Sequence, residues 1–151
     1  MRSAGLILLG LLVAVFLGFA LWVRLAPDDV ARWHRDPAAI TGAGKSNAFL
    51  VKPGGEGADI ASPVYAETPE ALLARFRAVA LAAPRTSVLS DAYGFLTLIQ
   101  RSRLMGFPDY ISARAVAAEG GAALHIHSRA RYGSDDFGVN RVRVLAWLGE
   151  L

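Results

Sequence analysis

Cysteine is absent from this chain of 151 residues, which excludes disulfides, thiolate nucleophiles, iron–sulfur clusters and zinc ribbons. A charge excess of one sign is also missing where it would count. Arg2 and Arg24 bracket a long apolar run, and setting them aside leaves 14 Lys and Arg against 13 Asp and Glu. The remainder is close to neutral, which excludes a nucleic-acid partner held by a large positive field. Catalytic signatures are lacking as well. No G-x-S-x-G elbow, H-E-x-x-H, P-loop or post-strand G-x-G-x-x-G occurs. Ser102, Ser128 and Ser134 have acids near them, but no spacing requires a triad. No catalytic residue, metal or cofactor is therefore assigned.

What the chain does have is twenty consecutive uncharged residues, Ala4–Val23. At 1.5 Å per residue a helix of that length spans about 30 Å, the thickness of the hydrocarbon layer. Trp22 suits the headgroup boundary, and Arg2 and Arg24 the polar edges. A cleaved signal peptide is the competing interpretation. Its apolar region would be about 7–15 residues with small residues at the cut, whereas this run is longer and ends in Trp22-Val23-Arg24-Leu25. The expectation is a retained single-pass anchor at residues 1–25. Its three-residue tail is readily held inside, so the rest lies on the extracytoplasmic side, although Arg24, Arg32 and Arg35 pull the other way. Gly10, Ala14 and Gly18 share a helical face that could pack two anchors, and the oligomeric state stays open.

Residues 26–60 read as an irregular extension. Asp36-Pro37, Lys52-Pro53-Gly54-Gly55 and Gly57 are breakers, with only Phe49-Leu50-Val51 apolar between them. An α+β domain is expected over 61–151. Val64-Tyr65-Ala66 suggests a short edge strand. Thr68-Pro69-Glu70 then opens a helix with a hydroxyl cap, a proline and an acid, and Leu72, Phe76, Val79 and Ala83 form its buried stripe up to Pro84. Period two follows: Thr86–Asp91, Phe95–Leu104, Tyr110–Ala117 and Ala123–Arg131 read as four strands. Their short connections make them antiparallel. Leu124, Ile126, Ser128 and Ala130 face the core, and His125, His127, Arg129 and Arg131 the other side. Arg141–Leu151 reads as a helix capped by Ser134, Asp135 or Asp136, with a strand over Arg141–Val144 as the alternative. The order is β-α-β-β-β-β-α, an antiparallel sheet with helices on one face.

Arginine is the informative residue type. Arg101 and Arg103 share parity on one strand, Arg129 and Arg131 on another. If those strands are neighbours, four guanidinium groups share a face. They could hold an anionic group by bidentate hydrogen bonds. Alternatively Asp109, Asp135 and Asp136 neutralise them in an internal network. His125-x-His127 puts two imidazoles about 7 Å apart on one strand face. A metal would need a third ligand, and His34, the other histidine, is remote in sequence.

Two segments carry a resemblance: Arg101–Asp109, RSRLMGFPD, and Ser128–Arg141, SRARYGSDDFGVNR. Together they are similar to the bacterial and plastid family called domain of unknown function 1499, over about Asn47–Leu151. Its pattern is SRL-x-GF-x-D followed by SRxG-x-SD-x-GVNR. Pro108, one extra residue before Gly133, and the histidines at 125 and 127 depart from that pattern. The resemblance implies no activity. It singles out Arg103, Asp109, Ser128, Arg129, Asp135 or Asp136, Asn140 and Arg141, with Gly133 and Gly138 at unusual backbone angles. An anion site beside Arg141 at the last helix start is a further expectation. The expected protein sits in a bacterial cytoplasmic membrane and binds or scaffolds there without catalysis. Its partners would be the bilayer, through Ala4–Val23, and an anionic ligand or envelope protein held by Arg101, Arg103, Arg129, Arg131 and Arg141. The rival is an enzyme on an anionic metabolite with Asp109 or Asp135 as acid/base.

Overall fold

The computed structural model describes residues 2–151, with side chains from Gly5 onward. The apolar run forms α1 (Arg2–Leu25); from Gly5 onward its side chains are exposed except at the C-terminal end, where Ala20 and Val23 are buried. Gly5–Leu25 is long and apolar enough to cross a membrane. Two short pieces follow: α2 (Val30–Trp33), where Asp29 accepts from the Ala31 amide, and a 3₁₀ turn (Pro37–Ala39), where Asp36 does the same for Ala38. The domain then runs β1 (Ala48–Lys52), β2 (Ile60–Ala61), α3 (Pro69–Ala82), β3 (Thr86–Ala92), β4 (Phe95–Arg101), β5 (Pro108–Ala118), β6 (Gly121–Ala130) and α4 (Val139–Gly149).

The α+β expectation holds, and the four period-two segments are β3 to β6, each antiparallel to the next. Residues 26–60 are a correction. They contribute β1, which lies against β6, and β2, which pairs with β1 in parallel, so the six-stranded sheet is mixed with order β2-β1-β6-β5-β4-β3. Phe49, Leu50 and Val51 show no alternation because both faces of β1 are covered and all three are buried. The edge strand expected at Val64–Ala66 shrinks to one bridge between Tyr65 and Ala122.

One sheet face carries α3 and α4. The hydroxyl of Thr68 caps α3 as expected, accepting from the Ala71 amide at 3.3 Å. Leu72, Phe76 and Ala80 are fully buried against Leu96, Leu98, Ile111, Leu124 and Ile126. Burying Leu72 and Phe76 stabilises the domain by roughly 2–3 kcal/mol each. Val144 and Trp147 of α4 complete this core, Trp147 meeting Phe76 edge-on at 5.8 Å. The last element is therefore a helix, and the alternative of a strand at Arg141–Val144 is set aside.

The opposite face is not open either. Residues 27–40 cross it as a strap. Trp33 stacks on Tyr110 of β5 with centroids 4.1 Å apart, and His34 stacks on Phe95 of β4 at 3.9 Å.

Candidate functional site

Three clusters gather the residues that could carry chemistry. The first lies beneath the strap. Arg101, Tyr110 and Arg131 come from three consecutive strands or their ends, and all converge on Asp28. Arg101 bridges one Asp28 oxygen at 2.5 Å, and the Tyr110 hydroxyl donates to the other at 2.6 Å. Arg131 lies 3.5 Å from Asp28 and donates to the Pro27 carbonyl at 3.1 Å. Burial, then the bond to Asp28, raises the Tyr110 phenol above its usual range. β5 separates β4 from β6, so the strands bearing Arg101 and Arg129 are not neighbours as expected. The shared face exists because parity carries across β5.

Arg129 is 9% exposed. Its guanidinium donates to the Ser112 hydroxyl at 3.2 Å, the His127 carbonyl at 3.1 Å and the Trp33 carbonyl. Every one of these partners is neutral, and burial pulls its pKa down to about 10. A directional chain leads away from it. Ser112 lies 3.0 Å from Thr97, and Thr97 lies 2.8 Å from His34 Nδ1. His34 Nε2 donates to the Ala92 carbonyl at 3.2 Å; with the ring neutral, Nδ1 then accepts from Thr97 and Ser112 donates to Thr97. Around Arg129 the face is answered by hydroxyls and carbonyls, whereas Asp28 and Asp36 supply carboxylates to Arg101, Arg131 and Arg114 at its margins.

The second cluster is on the helix face. Arg143 is 7% exposed at its side chain and reaches four acceptors. It donates to Asp109 at 2.6 Å, Asn140 Oδ1 at 2.6 Å, Gln100 at 2.5 Å and Ser128 at 3.2 Å. Ser128 also donates to Asn140 Oδ1 at 2.5 Å. Burial raises the Asp109 carboxyl, against the opposing pull of Arg143. Asp136 accepts from the amides of Gly138 and Asn140 at 2.9 and 2.8 Å, and Asp135 from the Phe137 amide at 2.6 Å. These two aspartates organise the entry to α4 and do not meet the strand arginines. Gly133 and Gly138 have φ of +87° and +78°.

The third cluster surrounds a cavity of about 460 Å³ at the foot of α1, lined by Arg24, Arg85, Arg101, Ser102, Arg103 and Gly106. Arg103 lies beyond the end of β4, exposed in the turn, which corrects its expected place on the strand. Arg24 donates to the Leu104 carbonyl at 2.7 Å, and Arg85 to the Arg101 carbonyl at 3.0 Å. The only acid bonded to any of these four among the described residues is Asp28, through Arg101. Arg141 stands apart. It is exposed and lines a different cavity of about 560 Å³ with Lys45, Asp59, Asp135 and Asp136.

The model of one family, described as Protein of unknown function (DUF1499), matches residues 29–151. The chain belongs to the DUF1499 family. Its matched span reaches further toward the N-terminus than Asn47, taking in Trp33 and His34 of the strap, and it leaves out α1. No curated protein and no solved structure matches the chain. Within the DUF1499 domain the motif-like residues divide among the three clusters. Arg129 sits under the strap; Asp109, Ser128 and Asn140 are on the helix face; Arg103 is at the foot of α1. Sequence reasoning missed Asp28, Arg143, Arg24 and Arg85. A signal existed for Arg143 alone, because Asn140 and Arg143 are three apart and so share a helix face.

Proposed function

We propose that this chain is a membrane-anchored envelope protein of a bacterium whose DUF1499 domain binds an anionic, phosphate-bearing group without catalysis. α1 is the anchor in the cytoplasmic membrane, and the domain stands on the extracytoplasmic side. The observation that carries this is the meeting of Arg24, Arg85, Arg101 and Arg103 around one cavity beside the end of the apolar helix. Arginine forks suit phosphate oxygens, and the position beside the helix end suits a phospholipid headgroup. Arg129 and Arg131 serve this site at a distance by holding the strap.

The test uses the full chain in neutral detergent, with inorganic phosphate and a water-soluble short-chain phosphatidylglycerol as separate probes. Binding to the folded state raises the melting temperature with probe concentration. A saturable rise with either probe, lost in the Arg85→Ala/Arg103→Ala double variant, supports the site. A rise with the lipid alone identifies a headgroup. No rise with either probe, or an equal rise in the double variant, overturns it.

A second reading is favoured by one observation. Asp109 lines a cavity of about 370 Å³ with Ser102, Tyr132 and Phe137, and its carboxyl is raised by burial. In that reading the domain is an enzyme with Asp109 as acid/base. A metabolite screen in which Asp109→Asn abolishes turnover while keeping binding would establish it.

A further inference from the structure

We infer that the turn between β4 and β5, Ser102–Phe107, is immersed in the interfacial layer of the membrane that α1 spans, beside the helix rather than above it. The inference rests on α1 being a membrane span and is independent of the arginine cavity's ligand. The 21 residues Gly5–Leu25 rise about 32 Å, which matches the hydrocarbon core with nothing to spare. The domain touches that span along its flank. Phe107 meets Phe19 at 6.2 Å between centroids, Tyr132 meets Trp22 at 6.3 Å, and the two buried side chains of the span, Ala20 and Val23, are on the same stretch. Phe19 is six residues before Leu25, about 9 Å deeper along the axis. Lifting Phe107 into water would draw Phe19, Leu21, Trp22 and Leu25 out with it, and all four are largely exposed to whatever surrounds the helix.

The turn is built for that depth. Leu104 at its tip is 72% exposed with nothing of the protein to cover it. Trp22, Phe107 and Tyr132 form a contiguous aromatic group of the kind that occupies headgroup boundaries. The base of the turn is hydrogen-bonded from within the protein, and the N–H groups of Arg103, Leu104 and Met105 at its tip are left for headgroups and interfacial water. Ser102 N–H donates to the Phe107 carbonyl at 2.9 Å, Gly106 N–H to the Ser102 carbonyl at 3.2 Å, and Phe107 N–H to the Ser102 hydroxyl at 3.0 Å. Arg24 and Arg101 donate to the Leu104 and Gly106 carbonyls at 2.7 and 3.0 Å. Arg103, next to Leu104, has a long enough stem to reach back to the phosphates.

Because the chain has no cysteine, single-cysteine variants report single sites. Leu104→Cys, Leu12→Cys at mid-span and Glu119→Cys at the far end of β5 are labelled with an environment-sensitive fluorophore in the full chain. The chain is then reconstituted in phosphatidylcholine vesicles carrying a doxyl quencher either near the headgroup or near the acyl end. Immersion predicts a blue-shifted Leu104 label quenched most by the shallow doxyl, a Leu12 label quenched most by the deep one, and an unquenched Glu119 label. A Leu104 label as water-exposed as that at Glu119, with Leu12 still quenched from deep in the bilayer, overturns the immersion and leaves the anchor standing. A Leu12 label in water overturns both.

Discussion

Trp33 lies flat on Tyr110, with ring centroids 4.1 Å apart and planes 7° from parallel. This stack pins the segment leaving α1 to β5, one of the two central strands of the sheet. It also sets Asp28, five residues earlier, against the Tyr110 hydroxyl, Arg101 and Arg131. The apolar helix α1 and the domain are thus joined by a seated strap.

Removing the carboxylate at Asp28 leaves two partly buried guanidinium groups without their acid. Asp28→Ala should cost about 2 kcal/mol, less than a fully buried pair because Arg101 keeps some exposure. Asp28→Asn, which retains an acceptor for Tyr110, should cost less. Thermal melts of the full chain in detergent check the order, the alanine variant falling by about 5 °C.

Arg143 is the hub of the helix-face network. Arg143→Met strands Asp109 and should cost about 3 kcal/mol. Arg143→Lys should restore little, because an ammonium cannot span four acceptors with a planar fork. Adding Asp109→Leu to Arg143→Met should recover part of the loss, and a double-mutant cycle in denaturant reads that coupling.

Stability should fall with acid through His127. Burial, reinforced by Arg129 and Lys45, lowers its pKa to about 3 in the folded protein, against 6.5 as the reference. As pH drops through 6.5 the unfolded chain takes up the proton and the folded one does not. Stability is therefore lost progressively between pH 6.5 and 3, by about 3 kcal/mol at pH 4. His125 is lowered too and adds to this, whereas the raised Asp109 carboxyl opposes it. Unfolding free energies from pH 7.5 to 4 should show a shallower decline in His127→Gln.

Gly121 opens β6 with a φ of +150°, and a Cβ there would sit 1.9 Å from the Tyr65 carbonyl oxygen. That carbonyl accepts from the Ala122 amide at 2.9 Å, so it cannot move away without breaking the bridge. Gly121→Ala should cost about 3 kcal/mol. Gly120→Ala meets nothing within 4 Å and carries only the left-handed backbone penalty, about 1 kcal/mol. Denaturant midpoints separate the two.

The elements legible in advance are those whose signal is local. Twenty uncharged residues can only be a long apolar helix, Thr68-Pro69 starts α3 by its own capping chemistry, and the alternation from Thr86 to Arg131 marks four strands joined by tight turns. Parity alone put Arg101, Arg129 and Arg131 on one face, but Arg103, expected with them, lies in the turn beyond β4. Three things required the folded chain. β1 became an inner strand of the sheet, hidden in the sequence because burial on both faces erases the alternation that would have announced it. Asp28 became the counter-ion of Arg101 and the acceptor of the Tyr110 hydroxyl across 73 and 82 residues of sequence. Arg24, Arg85 and Arg103 met around one cavity. Periodicity records which way a side chain points relative to its own strand or helix. It carries no trace of which distant segment closes over it, since that choice is made by packing and electrostatics between surfaces that exist only after the elements have formed.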